Sequence, residues 1–183
     1  MDYSGLEVDD IFLQGTGAMV LVHIDGVAYA VQSNRTNPLA LERFCTHFNY
    51  EPILFEAFAS NAKAVYRTNV LMCIGTEFVM FGLDMIENQK RREDIVQRFV
   101  ESGREVIALS HQQIAQFCGN AMELQGENER ILALSSTAHA ALKSEQRLIL
   151  EKSVTLLPSE VSAIESAGGS VRCMLASIHL SAR

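Results

Sequence analysis

Residues 69–109 decide the fold. Asn69-Val70-Leu71-Met72 opens an apolar run, Gly75-Thr76 turns it, and Phe78-Val79-Met80-Phe81 brings it back. A polar–apolar helix follows from about Asp84 to Ser102 and is stopped by Gly103, and Glu105-Val106-Ile107-Ala108-Leu109 reads as a closing strand. Short apolar runs between turn residues signal strands, and a glycine just past a periodic stretch ends a helix. Ile86, Ile95, Val96, Phe99 and Val100 supply the apolar stripe of that helix.

The same grammar of strand, turn, strand, helix and strand recurs on both sides. Upstream, Gly17–Val22 and Val27–Val31 flank an Asp25-Gly26 turn. A helix opens at Asn37-Pro38 and runs to Phe48, and Pro52–Phe55 is extended. Downstream, Asn120–Leu124 and Ile131–Leu134 flank a turn around Gly126–Glu129. Ser136 or Thr137 caps a helix to about Leu150, and Val154–Leu157 closes the unit. A fourth unit begins at Ser170-Val171-Arg172-Cys173-Met174-Leu175. The units start at 17, 69, 120 and 170, at spacings of 52, 51 and 50 residues. Chance β/α patterning drifts more than this. The sequence therefore predicts α/β modules over 14–57, 66–109 and 117–158, with a partial one at 167–183, stacked about a pseudo-symmetry axis. Gln14–Gly17, Tyr66–Asn69, Cys118–Asn120 and Gly168–Ser170 then face one centre. Polar loops at strand ends on a rigid scaffold are where sites form.

Composition narrows the function. The 183 residues are 48% hydrophobic and 20% charged, as in an ordinary globular domain of one core. The net charge of −7 argues against nucleic-acid binding, which needs basic surface. The acidic start of the chain does not look like a secretory leader, and no apolar run is long enough for a membrane helix, so a cytoplasmic location is expected. Cys45, Cys73, Cys118 and Cys173 form no Cys-x-x-Cys pair and no zinc spacing, so free thiols and no metal or cofactor are expected. Cys73 and Cys45 suit buried apolar positions. Cys173, behind Gly168-Gly169 and beside Arg172, is the candidate nucleophile. Its base would ordinarily be a histidine, yet His23, His47, His111, His139 and His179 all fall outside the convergent loops.

Four segments in order carry a resemblance: Phe12–Gly17, Val65–Met72, Phe117–Leu124 and Gly168–Ala176. Together they resemble the C-terminal part of the arginine-deiminase-like and amidinotransferase-like proteins, especially the citrulline-utilisation hydrolases, over about Phe12 to Leu180. These are guanidino-group-modifying enzymes, and the resemblance implies a pentein propeller, a ring of five ββαβ modules. It also implies a cysteine that attacks the guanidinium or ureido carbon, a histidine that moves protons, and carboxylates that hold the substrate. Cys173 matches the nucleophile, and Asn69 and Asn120 match polar positions of the pocket.

The departures are as informative. Arg67 stands where the family's Tyr-His-Thr-Asn motif has its catalytic histidine, Gln14 stands where Glu-Gly-Thr-Gly has its glutamate, and Ser177 stands where relatives usually carry Glu. An arginine side chain stays protonated and repels a guanidinium; it suits an anionic ligand. Three modules and the first strand of a fourth also fall short of five. Three readings remain open. The first is a degenerate homologue that binds a small guanidino, ureido or anionic ligand with little or no turnover. The second is an active cysteine hydrolase or amidinotransferase. The third is an assembly module, a homo-oligomer or the companion of a partner that supplies the missing modules, with a vestigial pocket.

Overall fold

The computed structural model describes residues 4–176, apart from the side chain of Thr16. Among the described residues nine strands form three separate sheets, each from one sequence unit. In the first, β1 (Met19–Val22) pairs antiparallel with β2 (Val27–Val31), which pairs parallel with β3 (Glu51–Phe55). The second repeats this with β4 (Met72–Ile74), β5 (Phe78–Phe81) and β6 (Glu105–Ala108). The third uses β7 (Met122–Gln125), β8 (Arg130–Ser135) and β9 (Thr155–Ser159). Parallel neighbours need a crossover. Helix α2 (Pro38–Phe48) supplies it in the first unit and α4 (Gln89–Glu101) in the second. The pair α6 (Ser136–Ala141) and α7 (Ser144–Leu150) supplies it in the third. The expected ββαβ module is present three times.

Local chemistry sets the boundaries. The Asn37 side chain accepts from Leu39 N–H, and Pro38 opens α2. Asn88 accepts from Arg91 N–H and starts α4 there, so the helix expected from Asp84 begins later, after a 3₁₀ turn at Leu83–Met85. Ile86 is buried in that connection and Val100 is more than half exposed, so Ile95 and Phe99 form the buried face of α4. The third helix breaks at the extended Leu142, and its cap is Ser135 instead of Ser136 or Thr137. Two short helices had no counterpart in the sequence reading: α5 (His111–Ala115) and α8 (Ser162–Glu165). The Ser110/Gln113 capping box was the available signal for the first.

The unit starts also change character. Residues expected to begin strands at 17 and 69 lie in single helical turns, α1 (Gly15–Ala18) and α3 (Thr68–Leu71), and the strands begin at Met19 and Met72. The third begins at Met122 rather than Asn120. In the fourth unit, Val171–Met174 is a 3₁₀ turn at the matching place, and Ser177 and His179 lie outside the described residues.

The crossover helices of the second and third modules are each sandwiched between the sheet of their own module and that of the module before. Phe99 on α4 stacks on Tyr29 of β2 at 4.8 Å between ring centroids and meets Phe81 of β5 edge-on at 6.4 Å. Ile95, Val20, Ile53, Val79 and Phe81 complete this layer. The second layer joins Phe78 and Met80 to Leu132, Leu134, Ala138 and Leu150. An ion pair repeats with the layers. Glu51 at the head of β3 meets Arg98 on α4, and Glu105 at the head of β6 meets Lys152 just past α7. Module stacking is what brings the polar turns preceding β1, β4 and β7 side by side.

Candidate functional site

Hydrogen bonds link these turns across modules. The Thr68 hydroxyl donates to the Ala18 carbonyl and accepts from Val31 N–H at 2.9 Å, joining α3 to the first sheet. Asn120 Nδ2 donates to the Asn69 carbonyl at 2.8 Å, and Arg172 N–H to the Asn120 carbonyl at 3.3 Å. Gly119 makes the second joint possible, since a Cβ there would lie 2.4 Å from the Val70 carbonyl oxygen. Gly168, at φ +88°, turns the chain into the last segment. There the Ser170 hydroxyl donates to Glu165, and Cys173 N–H closes on the Ser170 carbonyl.

Where these turns meet lies a cavity of about 320 Å³, whose lining includes Gln14, Arg35, Tyr66, Arg67, Asn69 and Cys173. Cys173 is half-buried, while Cys45, Cys73 and Cys118 are buried in the core. Desolvation raises those three thiols, to about 11 for Cys45 and Cys73 and about 12 for Cys118, which suits inert apolar packing. Two amides aim at the Cys173 sulfur: Asn120 Nδ2 at 3.3 Å and Asn69 Nδ2 at 3.6 Å. Both asparagines are buried, and both Oδ1 atoms lack a hydrogen-bond partner. Arg35 and Arg67 place their guanidinium carbons 4.6 and 5.5 Å from the centroid of the Tyr66 ring. Neither forms an ion pair among the described residues. The described lining contains no carboxylate and no histidine.

Five of the six residues singled out from the sequence thus converge. Gln14, Arg67, Asn69 and Cys173 line the cavity, and Asn120 supports it from behind. Arg172 does not join them. Its guanidinium donates to the Ala121 carbonyl at 3.3 Å and borders a second, larger cavity among the first strands of the modules. Desolvation there lowers its pKa, against the opposing influence of Cys73 and Cys173. Cys173 and Arg172 point apart because they sit on successive positions of a tight turn. The sequence reading missed Arg35, while Tyr66 lies at the cavity as its segment was expected to. The triplet Arg35-Thr36-Asn37 repeats Arg67-Thr68-Asn69, a signal that was available. A turn closed between Ser33 and Thr36, and a hydrogen bond from Gln14 N–H to the Arg35 carbonyl, bring Arg35 to the cavity. Among the described residues no three His, Cys, Asp or Glu side chains gather to hold a metal, and no helix is long and apolar enough to cross a membrane.

Module architecture and a cysteine at the junction of the turns define an incomplete pentein of the guanidino-group-modifying superfamily. The chain belongs to the family of N,N dimethylarginine dimethylhydrolases of the eukaryotic type, whose model matches residues 1–180. Solved structures share the fold. The N-terminal domain of ArgZ, an arginine dihydrolase of the cyanobacterial ornithine-ammonia cycle, was solved as a mutant bound to substrate. It superposes with a TM-score of 0.69 at 12% identity, covering 89% of this chain and 55% of that domain. AgrE, in a ternary complex with ornithine and NAD+, gives 0.70 at 14% identity, covering 90% of this chain and 22% of that one. SxtG, an amidinotransferase of Microseira wollei in saxitoxin biosynthesis, gives 0.57 at 10% identity, covering 86% and 42%. This chain therefore spans about half of the ArgZ domain and less of the others. No curated protein matches it in sequence.

Proposed function

We propose that this chain is a degenerate member of its family: a single truncated pentein-type domain that binds a small molecule at Cys173 and turns over guanidino compounds little or not at all. One observation carries this reading. Arg67 occupies the cavity wall where the family resemblance implies a proton-transferring histidine, and the described lining holds no histidine and no carboxylate. Covalent hydrolysis through Cys173 needs a proton delivered to the leaving amine and another taken from the attacking water. Loss of a general acid–base typically lowers rates by ~10²–10⁴-fold. Gln14 in place of a carboxylate also removes the ionic hold on a cationic substrate. The test is release of dimethylamine or ammonia from dimethylarginine, arginine or citrulline across pH 5–10. No release above a Cys173→Ala control is expected. Turnover that disappears in Cys173→Ala would overturn the reading and favour the active hydrolase.

A second reading, self-association or a partner supplying further modules, draws on the stacking pattern. In both internal layers a sheet is covered by the helix of the next module. Leu157 on the last sheet and Phe48 on the first helix stand about half exposed, on elements that have only one modular neighbour. Light scattering of the purified chain checks this, and a strict monomer counts against it.

A further inference from the structure

Resting on the reading of a non-hydrolytic binding pocket, we infer that its ligand is a small dianion, held through carboxylate or phosphate oxygens by Arg35 and Arg67 together. Both guanidinium groups line one cavity of about 320 Å³, both lie against one face-sharing partner, Tyr66, and neither has a carboxylate among the described residues. Two like charges on one small cavity repel unless a counter-charge lies between them, and the planar fork of arginine matches the paired oxygens of a carboxylate or phosphate. The remaining polarity points the same way. The hydrogen-bonding groups aimed at the Cys173 sulfur from Asn69 and Asn120 are donors, so the floor of the cavity is electropositive as well. Gln14 adds an uncharged amide where a carboxylate would have cancelled one arginine. Asn69 is buried at the cavity wall with its Oδ1 unpartnered, an acceptor available to a ligand that also carries a hydroxyl or N–H donor. The guanidinium of a ligand such as arginine would meet two like charges and no carboxylate in this lining.

The unmodified protein tests this through Cys173 itself. Iodoacetate and iodoacetamide alkylate a thiol by the same step: the S–C bond forms, iodide leaves and the thiol proton goes to solvent. They differ in charge. The ratio of their rates at Cys173, divided by the same ratio for the otherwise uncharged thiol 2-mercaptoethanol in the same tube, cancels intrinsic thiol reactivity and reports the local field. At low salt this quotient is expected to exceed one by about tenfold, the size of two unit charges a few ångströms away in water. It should collapse towards one in 0.5 M sodium chloride. Arg35→Gln and Arg67→Gln should each remove roughly half of the logarithm of the effect. Inorganic phosphate and malonate form the two arms for ligand chemistry. At least one should raise the melting temperature and slow Cys173 alkylation, while arginine does neither. A quotient of one in wild type, or protection of Cys173 by arginine but by neither dianion, overturns the inference. If neither case shows guanidino turnover, the non-hydrolytic reading survives the loss. Turnover of a guanidino substrate sinks that reading on its own evidence, so the two failures are separable.

Discussion

Asn69 and Asn120 occupy equivalent turns in consecutive modules and are locked to each other: Asn120 Nδ2 bonds the Asn69 carbonyl at 2.8 Å while reaching the Cys173 sulfur at 3.3 Å. One buried amide therefore both staples two modules together and orients the cysteine. Asn120→Ala leaves a buried carbonyl unpaired, which costs about 1–3 kcal/mol. Denaturant unfolding should show that loss. Alkylation of Cys173 by neutral iodoacetamide should slow in the same variant, because a donor to the sulfur is gone. Unchanged stability together with unchanged reactivity would show that the amide does neither.

Arg104 gives a second prediction, by contrast with Arg98. The Arg104 side chain is 4% exposed and pairs with Asp25 of the preceding module at 2.5 Å, while also donating to the Gly75 carbonyl at 2.9 Å and to Ser102. Arg98 pairs with Glu51, but both groups are more than a third exposed. Asp25 itself is exposed, so removing Arg104 strands no buried charge, but it takes the donor from the buried Gly75 carbonyl, whereas exposed pairs contribute little. Arg104→Ala should destabilise by roughly 1–3 kcal/mol, and Arg98→Ala by under about 1 kcal/mol. Equal midpoints for the two variants in urea would refute the distinction.

The extent to which these features were legible in the chain follows from how far apart their causes lie. Module order, strand pairing and the helix opened by Asn37-Pro38 depend on neighbours in sequence, and the repeat displays them. The helical turns at Gly15–Ala18 and Thr68–Leu71 are tied together by the Thr68 hydroxyl on the Ala18 carbonyl, a contact across the module boundary between residues 50 apart. No local pattern encodes that. Gln14, Arg67, Asn69 and Cys173 could be placed together from their repeat positions alone. Arg35 stands after a second strand, where the repeat assigns no loop to the centre, and only its triplet Arg35-Thr36-Asn37, echoing Arg67-Thr68-Asn69, marks it. Arg172 was read from adjacency to Cys173, but a tight turn sends neighbouring side chains to different cavities.

Alkaline pH supplies the last prediction. Burial raises the thiols of Cys73 and Cys118 to about 11 and about 12, from a starting value of 9.0, and the Tyr29 hydroxyl to about 12 from 10.0. Desolvation is the leading cause in each, and for Tyr29 the charges of Arg98 and Arg104 act against it. Each group keeps its proton longer in the folded chain than in the unfolded one. The unfolded chain therefore binds fewer protons above pH 9, and stability falls as pH rises. The contribution is intact below the unfolded values and is lost between about pH 9 and 12, at up to ~1.4 kcal/mol per pH unit for each group. The melting temperature should be nearly flat from pH 7 to 8.5 and then decline, provided a reductant keeps the thiols free. Cys118→Ala should lessen the slope above pH 9.5. A slope in Cys118→Ala equal to that of wild type would mean the buried thiols do not govern the alkaline limit.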